Sequence, residues 1–444
     1  MNLDVLKRFI LISLAIYAVS LLTSLAGSEI FGWLTLLLSL IYGVLQKNGG
    51  VRQVEIYGDA DQAPSSIDRG PVFFRIGPDL ALVALLIVVS LSYFINAAPD
   101  AKLLTVLGQV RWILVLYGLT YGLRLAGMSP RIFPILAVIA IVVSIHGIQE
   151  TFTGWDFIRH RPDVYLINNS GEGHNYYRAS GLFTMPTNFA HAANMSLCFL
   201  IAAVLLRLGG TRNWRIFYSV SALFLFTAIV LSFTRGAWIA LFVAVVGLTA
   251  MLNRRLVAIF AGSLIVLAVV AYLSVPQVRE RVETMTNPQF ASNSERLELW
   301  NENIAIIKMH PILGIGLNEN ERLANEYNAM IGNAGGKRGN AHNSYLQFLS
   351  GSGVLGLGCY LLLISTLMLM TWRLWKAVPA TETWHRTLIL GAWGAQIALH
   401  VGGLTDCNFK NWQVNHQTMM VWSLVCYLTW LYNPQKTSAK ISSV

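Results

Sequence analysis

The chain has 444 residues, of which 55% are hydrophobic and only 12% charged, with a formal net charge of +10 and a mean hydropathy of +0.54. Soluble domains carry about a quarter charged residues, so this composition, with repeated apolar runs of roughly 16 to 22 residues, excludes a soluble enzyme and predicts an all-α polytopic membrane protein. The basic excess comes without a nucleic-acid module and reads as loop charge, while four cysteines with no CxxC pair give neither a disulfide framework nor a zinc site.

Met1 to Arg8, followed by the apolar run Phe9 to Ala26, has the shape of a signal peptide, but a second run, Ile30 to Leu45, follows at once. The first run is therefore read as a retained membrane helix. A polar loop of mixed charge, Lys47 to Arg75, comes next. Further spans are predicted at Leu80 to Ala97, Leu103 to Ala126, Ile132 to Ile148, Asn188 to Leu206, Ile216 to Phe233, Gly236 to Leu252 and Leu256 to Val275. After a long polar interlude come Gly353 to Trp372, Leu388 to Leu404 and Thr418 to Tyr432. The expectation is about twelve transmembrane helices in a single membrane domain, residues 1–444, with no internal repeat.

Basic residues orient the chain. With the N-terminus in the cytoplasm, the short inner loops hold Arg124 and Arg131; Arg207, Arg212 and Arg215; Arg254 and Arg255; Arg373, Lys376 and Arg386; and, after the last span, Lys436 and Lys440. The short outer connections hold little beyond Lys102, Arg235 and Lys410. This positive-inside pattern predicts that both termini are cytoplasmic and that residues 149–182 and 276–345 lie outside as a helical cap. In a Gram-negative inner membrane, that side is the periplasm.

The interlude begins with NSERLELWNENIAIIKM, which reads as an amphipathic helix. Ser292 and Glu295 form a capping box, and Leu297, Trp300, Ile304 and Ile307 share one face. His310-Pro311 stops it. A weaker helix is predicted from Glu319 to Ile331. A loop with Gly332, Gly335, Gly336 and Gly339 then reads as mobile, and it delivers His342 to the mouth of the next span.

Arg235 is the only charged residue among the 37 from Ile216 to Leu252. Two spans with almost no loop between them would put it at the outer tip of a hairpin. An arginine at membrane depth costs about 2.5 kcal/mol or more and normally faces a polar cavity; the plainer reading is a side chain that snorkels to the interface. Of the basic residues in the outer loops, Arg159, Arg161, Arg279, Arg281, Arg322, Lys337 and Arg338 read as solvated charge. Arg296, in the first turn of the amphipathic helix and one turn before Trp300, stands apart. So does Arg178, in YYRASGLFTMPTN just before a span. The planar guanidinium fork suits phosphate oxygens, so arginines converging outside the membrane would make a diphosphate site.

His342 precedes Asn343 and then a helix. The partial positive charge at a helix N-terminus disfavours imidazolium, which leaves a neutral imidazole able to act as a general base. Structural histidines are as common. His146, His160, His174, His191, His310, His385, His400 and His416 make no HExxH or carboxylate cluster, so no metal centre is expected. The Gly351, Gly353, Gly356 and Gly358 series reads as close helix packing.

His342-Asn343, nine residues, Gly353, two residues and Gly356 resemble the signature of the O-antigen ligase family, within a wider group of membrane glycosyltransferases that includes the O-antigen polymerases. LSFTRGAW around Arg235, SERLELW around Arg296 and HPILGIGLNE after it extend the resemblance over the chain from Arg178 to Leu362. The resemblance implies a GT-C-like enzyme that moves a glycan from undecaprenyl diphosphate to a lipid A-core sugar on the periplasmic face, inverting the anomeric centre without metal, nucleotide or other cofactor. It implies His342 as the base and Arg235 and Arg296 on the diphosphate; Arg178 is added to them as a third contact. A polymerase with a lipid-linked acceptor is the nearest alternative. A secondary transporter is disfavoured, because the predicted spans lack buried Asp or Glu. No role is read for Arg111 or for the loop near Asp406.

Overall fold

In the computed structural model, which describes residues 3–48, 75–96, 103–162, 166–167, 176–285, 287, 291–330, 332 and 339–432, all twelve predicted runs lie on α-helices. In chain order these begin with α1 (Leu3–Thr23), α2 (Leu25–Asn48), α3 (Asp79–Asn96), α4 (Leu103–Ala126) and α5 (Ile132–Thr153). There follow α6 (Pro186–Leu205), α7 (Arg212–Leu231), α8 (Arg235–Ala250) and α9 (Arg254–Ser274). The interlude forms α10 (Pro276–Glu283), α11 (Ala291–Met309) and α12 (Asn320–Met330), before α13 (Ser344–Ala377), α14 (Thr383–Gly402) and α15 (Trp412–Leu431).

Among the described residues, eight helices (α1, α2, α3, α5, α6, α7, α9 and α13) are long and apolar enough to cross a membrane, and α8 is a shorter apolar helix. By this measure eight of the twelve expected spans qualify among the described residues. Of the other predicted spans, α14 and α15 need not be as apolar, because protein surrounds them. In α15 every residue from Gln413 to Leu428 is buried, and α14 packs against both α6 and α8. At the other extreme, α9 buries none of its residues and is the most hydrophobic span. A helix surrounded by lipid is apolar all round, whereas one surrounded by protein can carry hydrogen-bonding groups.

Among the described residues, the loop after α14 meets the cap and the start of α13, with Lys410 paired to Glu321 of α12 and Ser344 N donating to Gly403 O. Helix α5 runs past Ile148 to Thr153 and leads into two small antiparallel ribbons. In the first, β1 (Trp155–Asp156) pairs with β2 (Arg161–Pro162); in the second, β3 (Leu166–Ile167) pairs with β4 (Tyr176–Tyr177).

The cap is built on α11, but with a different face from the one the apolar pattern suggests. Leu297 and Ile304 are exposed, and the packed side carries Leu299, Glu302, Asn303 and Ile306. The reason is a buried polar network that apolar periodicity cannot register. Asn303 Oδ1 accepts from Ser350 Oγ at 2.6 Å and from Asn320 Nδ2 at 3.2 Å, and Gln347 Nε2 donates to Asn320 Oδ1 at 2.7 Å. These bonds lock α11, α12 and α13 together. The HPILGIG segment runs beside a break in α13 at Gly353 (φ 64°), with Val354 N donating to Pro311 O and Gly316 N to Gly351 O. A Cβ at Gly353 would lie 2.1 Å from the Ile312 carbonyl, so only glycine fits there.

The side chain of Ser292, and with it the predicted capping box, lies outside the described residues; the helix itself starts one residue earlier, at Ala291. Residues 333–338, which include Gly335 and Gly336 of the loop read as mobile, are also outside them, as are most of the polar loop after α2 and Lys436 and Lys440.

Candidate active site

Helices α7 and α8 are joined by three residues, 232–234, so Arg235 stands at the tip of a helical hairpin. The turn is tight enough to hold Phe233 at φ 50°. Arg178 reaches across from the first loop, its Nε donating to Ser232 O at 2.8 Å and its Nη2 to Thr234 Oγ1 at 3.1 Å. These bonds brace the turn that aims Arg235. Arg235 itself donates to Thr284 O (3.0 Å) and to Asn293 Oδ1 (2.8 Å), which joins the hairpin to the start of α11.

Two further arginines approach it. Arg296 lies on α11, one turn beyond Asn293, and Arg281 lies on α10. Burial, then the like charges of Arg281 and Arg296, all disfavour the Arg235 cation. Burial also lowers the pKa of Arg281, whose Nε is buried without a hydrogen-bond partner among the described residues. Three guanidiniums held close against their own repulsion, one with an unused donor, form a site suited to a polyanion. Arg281 had looked like ordinary loop charge, and only the fold brings it to Arg235.

His342 is held from several sides. The backbone of Ala341 is fixed at both polar atoms, its N donating to Gln347 Oε1 at 2.9 Å and its O accepting from Trp300 Nε1 at 2.8 Å. Asn343 caps α13 by accepting from Tyr345 N and Leu346 N. His342 is left in the left-handed region, at φ 42°, an unusual conformation for a non-glycine residue. Its Nδ1 is 3.4 Å from Asp406 Oδ1, and the side chain is 38% exposed. Nε2 is thus the ring nitrogen left to meet a substrate.

Asp406 was not legible as a functional residue, and it is the centre of this half of the site. His191 Nε2 lies 3.7 Å from its Oδ2. Burial would raise the Asp406 carboxyl, but the two facing imidazoles, His191 and then His342, outweigh burial and hold it far below the usual carboxylate range. Its loop is tied to α13 through Ser344, whose N donates to Gly403 O at 2.7 Å and whose Oγ donates to Asp406 O at 3.1 Å.

The two halves meet at Gly236. A Cβ there would sit 2.0 Å from Thr405 Oγ1, so the residue after Arg235 lies directly against the residue before Asp406. A cavity of about 290 Å³ opens beside the same loops, lined by Trp112, Asn318, Ser344, Gln347, Phe348 and Cys407, among others. Its aromatic faces and amides are the surroundings that sugars favour, with apolar ring faces and satisfied hydroxyls. Of the residues singled out from sequence, Arg235, Arg296 and His342 therefore share one end of the bundle, and Arg178 supports the first of them.

Residues 220–361 match the family model described as O-antigen ligase. The match runs from within α7 to within α13 and takes in Arg235, Arg281, Arg296 and His342; Arg178, His191 and Asp406 lie beyond it. No curated protein matches the chain.

Proposed function

We propose that this chain, a multi-pass membrane protein whose residues 220–361 match the O-antigen ligase family model, is a glycosyltransferase that moves a glycan from undecaprenyl diphosphate to a sugar hydroxyl of lipid A-core at the periplasmic face of the inner membrane. The observation that carries this reading is the Gly236–Thr405 contact, which sets a cluster of arginines beside a carboxylate-held histidine.

The donor's diphosphate binds Arg235, Arg281 and Arg296, with Arg178 as a positioning residue for Arg235. Asp406 favours the tautomer with the proton on His342 Nδ1, which leaves the Nε2 lone pair for the acceptor hydroxyl. As that proton moves to Nε2, the acceptor oxygen bonds to the anomeric carbon. The bond from that carbon to the diphosphate breaks with its electron pair, and the anomeric centre inverts. Charge grows on the departing diphosphate, where preorganised guanidiniums stabilise it most. Asp406 offsets the imidazolium that forms. No step calls on a metal.

The test is purified protein in lipid nanodiscs with undecaprenyl-diphosphate-linked glycan and lipid A-core. The joined lipopolysaccharide should form, and His342→Gln should abolish it while the donor still binds, because an amide can orient a hydroxyl but cannot take its proton. Elongation of the lipid-linked glycan without use of the core would make the protein a polymerase. Substrate flux across vesicles with no joined product would make it a transporter. Either result overturns the proposal.

A further inference from the structure

A second cluster of ionisable side chains lies at the end of α5, outside the site described above. His146 and Glu150 are one helical turn apart on the same face. The chain turns at Gly154, and β1 brings Asp156 back over them. All three are buried, at 8%, 1% and 2% exposure respectively.

We propose that His146, Glu150 and Asp156 bind a divalent cation of the first transition row, zinc above all, as a structural site. His146 Nε2 lies 3.5 Å from Glu150 Oε1 and 3.3 Å from Asp156 Oδ1, with the imidazole more than nine-tenths buried. Its Nε2 nevertheless has no hydrogen-bond partner among the described residues. Both are ion-pair distances, like the 3.4 Å between His342 Nδ1 and Asp406 Oδ1, so the grouping of three ligand atoms about one buried imidazole, and not the length, is what points to a cation. The two distances match the edges of a coordination tetrahedron, about 3.3–3.4 Å for nitrogen and oxygen ligands at 2.0–2.1 Å from zinc. The three ligand atoms all lie within 4.8 Å of one another.

The supporting contacts are those of a fixed ligand set. Glu150 Oε2, the oxygen turned away from His146, accepts from Ser180 N at 3.1 Å and from Gly181 N at 2.9 Å. Asp156 Oδ1 accepts from Ile158 N at 3.0 Å and from Arg159 N at 2.8 Å. Arg159 Nη1 lies 3.3 Å from Asp156 Oδ2, so two carboxylates face one fixed cation and the group between them. A proton on His146 is the competing occupant.

The site's role follows from what Glu150 holds. The Ser180–Gly181 turn follows Arg178 and Ala179, and Ala179 N donates to Leu231 O at the end of α7. A cation here would pin the first loop to the bundle, and with it the arginine that braces the hairpin turn before Arg235.

The experiment uses the full-length protein, freed of any affinity tag and purified in detergent without chelator. Elemental analysis should find about one zinc per chain, and a chelator should lower the melting temperature by several degrees, with Zn²⁺ restoring it. Cobalt added to the stripped protein should give the visible absorption of a four-coordinate site with nitrogen and oxygen ligands. Asp156→Asn keeps the turn's acceptor but loses the charge, so it should fold while holding zinc at least tenfold more weakly. Metal-free wild type whose melting temperature ignores both chelator and Zn²⁺ would show the cluster to be an ion pair without metal and would sink the proposal. Wild-type zinc affinity in both Asp156→Asn and His146→Gln would place any metal elsewhere and sink it equally.

Discussion

Asp406→Asn tests the pair that His342 makes. The new side chain has the same shape and can still accept from the Cys407 backbone N–H, 2.8 Å away, so the loop should keep its fold. What is lost is a negative charge 3.4 Å from His342 Nδ1. Unit charges at that distance interact by about 5 kcal/mol at an effective dielectric of 20. More than a third of the His342 side chain is exposed, and solvent screening cuts the figure by about half, to roughly 2.5 kcal/mol. Only the imidazolium formed as the acceptor proton moves feels this charge, so the loss belongs to kcat and amounts to roughly fiftyfold to a hundredfold.

The assay is the rate of joined product at saturating donor and acceptor, with donor affinity and melting temperature measured alongside. Donor affinity should hold, because the arginines are untouched. Asp406 is held far below the usual carboxylate range, so it stays ionised at any working pH and should contribute no limb of its own to the wild-type pH profile. Turnover within about threefold of wild type, in a variant that melts normally, would refute the claim that Asp406 serves His342.

Arg235→Lys keeps charge but loses the fork that reaches Thr284 and Asn293, so transfer should fall steeply. In alanine variants of Arg235 and Arg296, the double should lose less than the sum of the singles if both hold one diphosphate. Gly236→Ala drives a methyl into Thr405; it should cost about 1–3 kcal/mol, read as a lower melting temperature, and weaken transfer by shifting Asp406. Glu302 is fully buried, and burial, reinforced by Glu321 and partly offset by Asn328, raises its pKa to about 7. The folded protein therefore keeps a proton that the unfolded chain releases between pH 4.5 and 7, so stability falls as pH rises through that window, by at most about 3 kcal/mol. Glu302→Gln should flatten the dependence and melt higher above pH 7; an unchanged pH profile of melting would exclude Glu302 as its source. A cysteine at Asn287 should react with an impermeant reagent from the periplasmic side and one at Thr211 should not, and the reverse would invert the proposed orientation.

The hairpin tip was readable because a lone charge in a long apolar stretch has few places to go, and Arg235 stands where that logic puts it. The face of α11 was not. Leu297 and Ile304 satisfy a helical repeat, yet the side that packs is the one with Glu302 and Asn303, whose partners Asn320, Asn328 and Ser350 lie on other elements. Apolar periodicity measures transfer from water; it cannot foresee a buried network whose members are satisfied only by each other. The same holds for Asp406, which sits in a loop after α14 and meets His342 only because Ser344 ties that loop to the start of α13. His146 and Glu150 have visible helical spacing, but Asp156 joins them only after a turn.

The site's most demanding residues are those with the most local constraint. Phe233 and His342 both hold positive φ, a conformation that costs a non-glycine residue about 1–3 kcal/mol when it is strained. Phe233 stands two residues before Arg235, and His342 is itself the proposed base. Phe233 is buried, and its turn is braced by Arg178, while His342 follows a residue whose N and O are both hydrogen-bonded. The cations follow the same logic, since Arg281 and Arg296 are pressed toward Arg235 at an electrostatic cost that the fold bears alone. A diphosphate would relieve that repulsion on arrival, and would relieve it further as the bond to the sugar breaks and negative charge builds on the leaving oxygen. The stabilisation is then larger in the transition state than in the bound donor, and a clamp of this kind raises turnover instead of merely tightening binding.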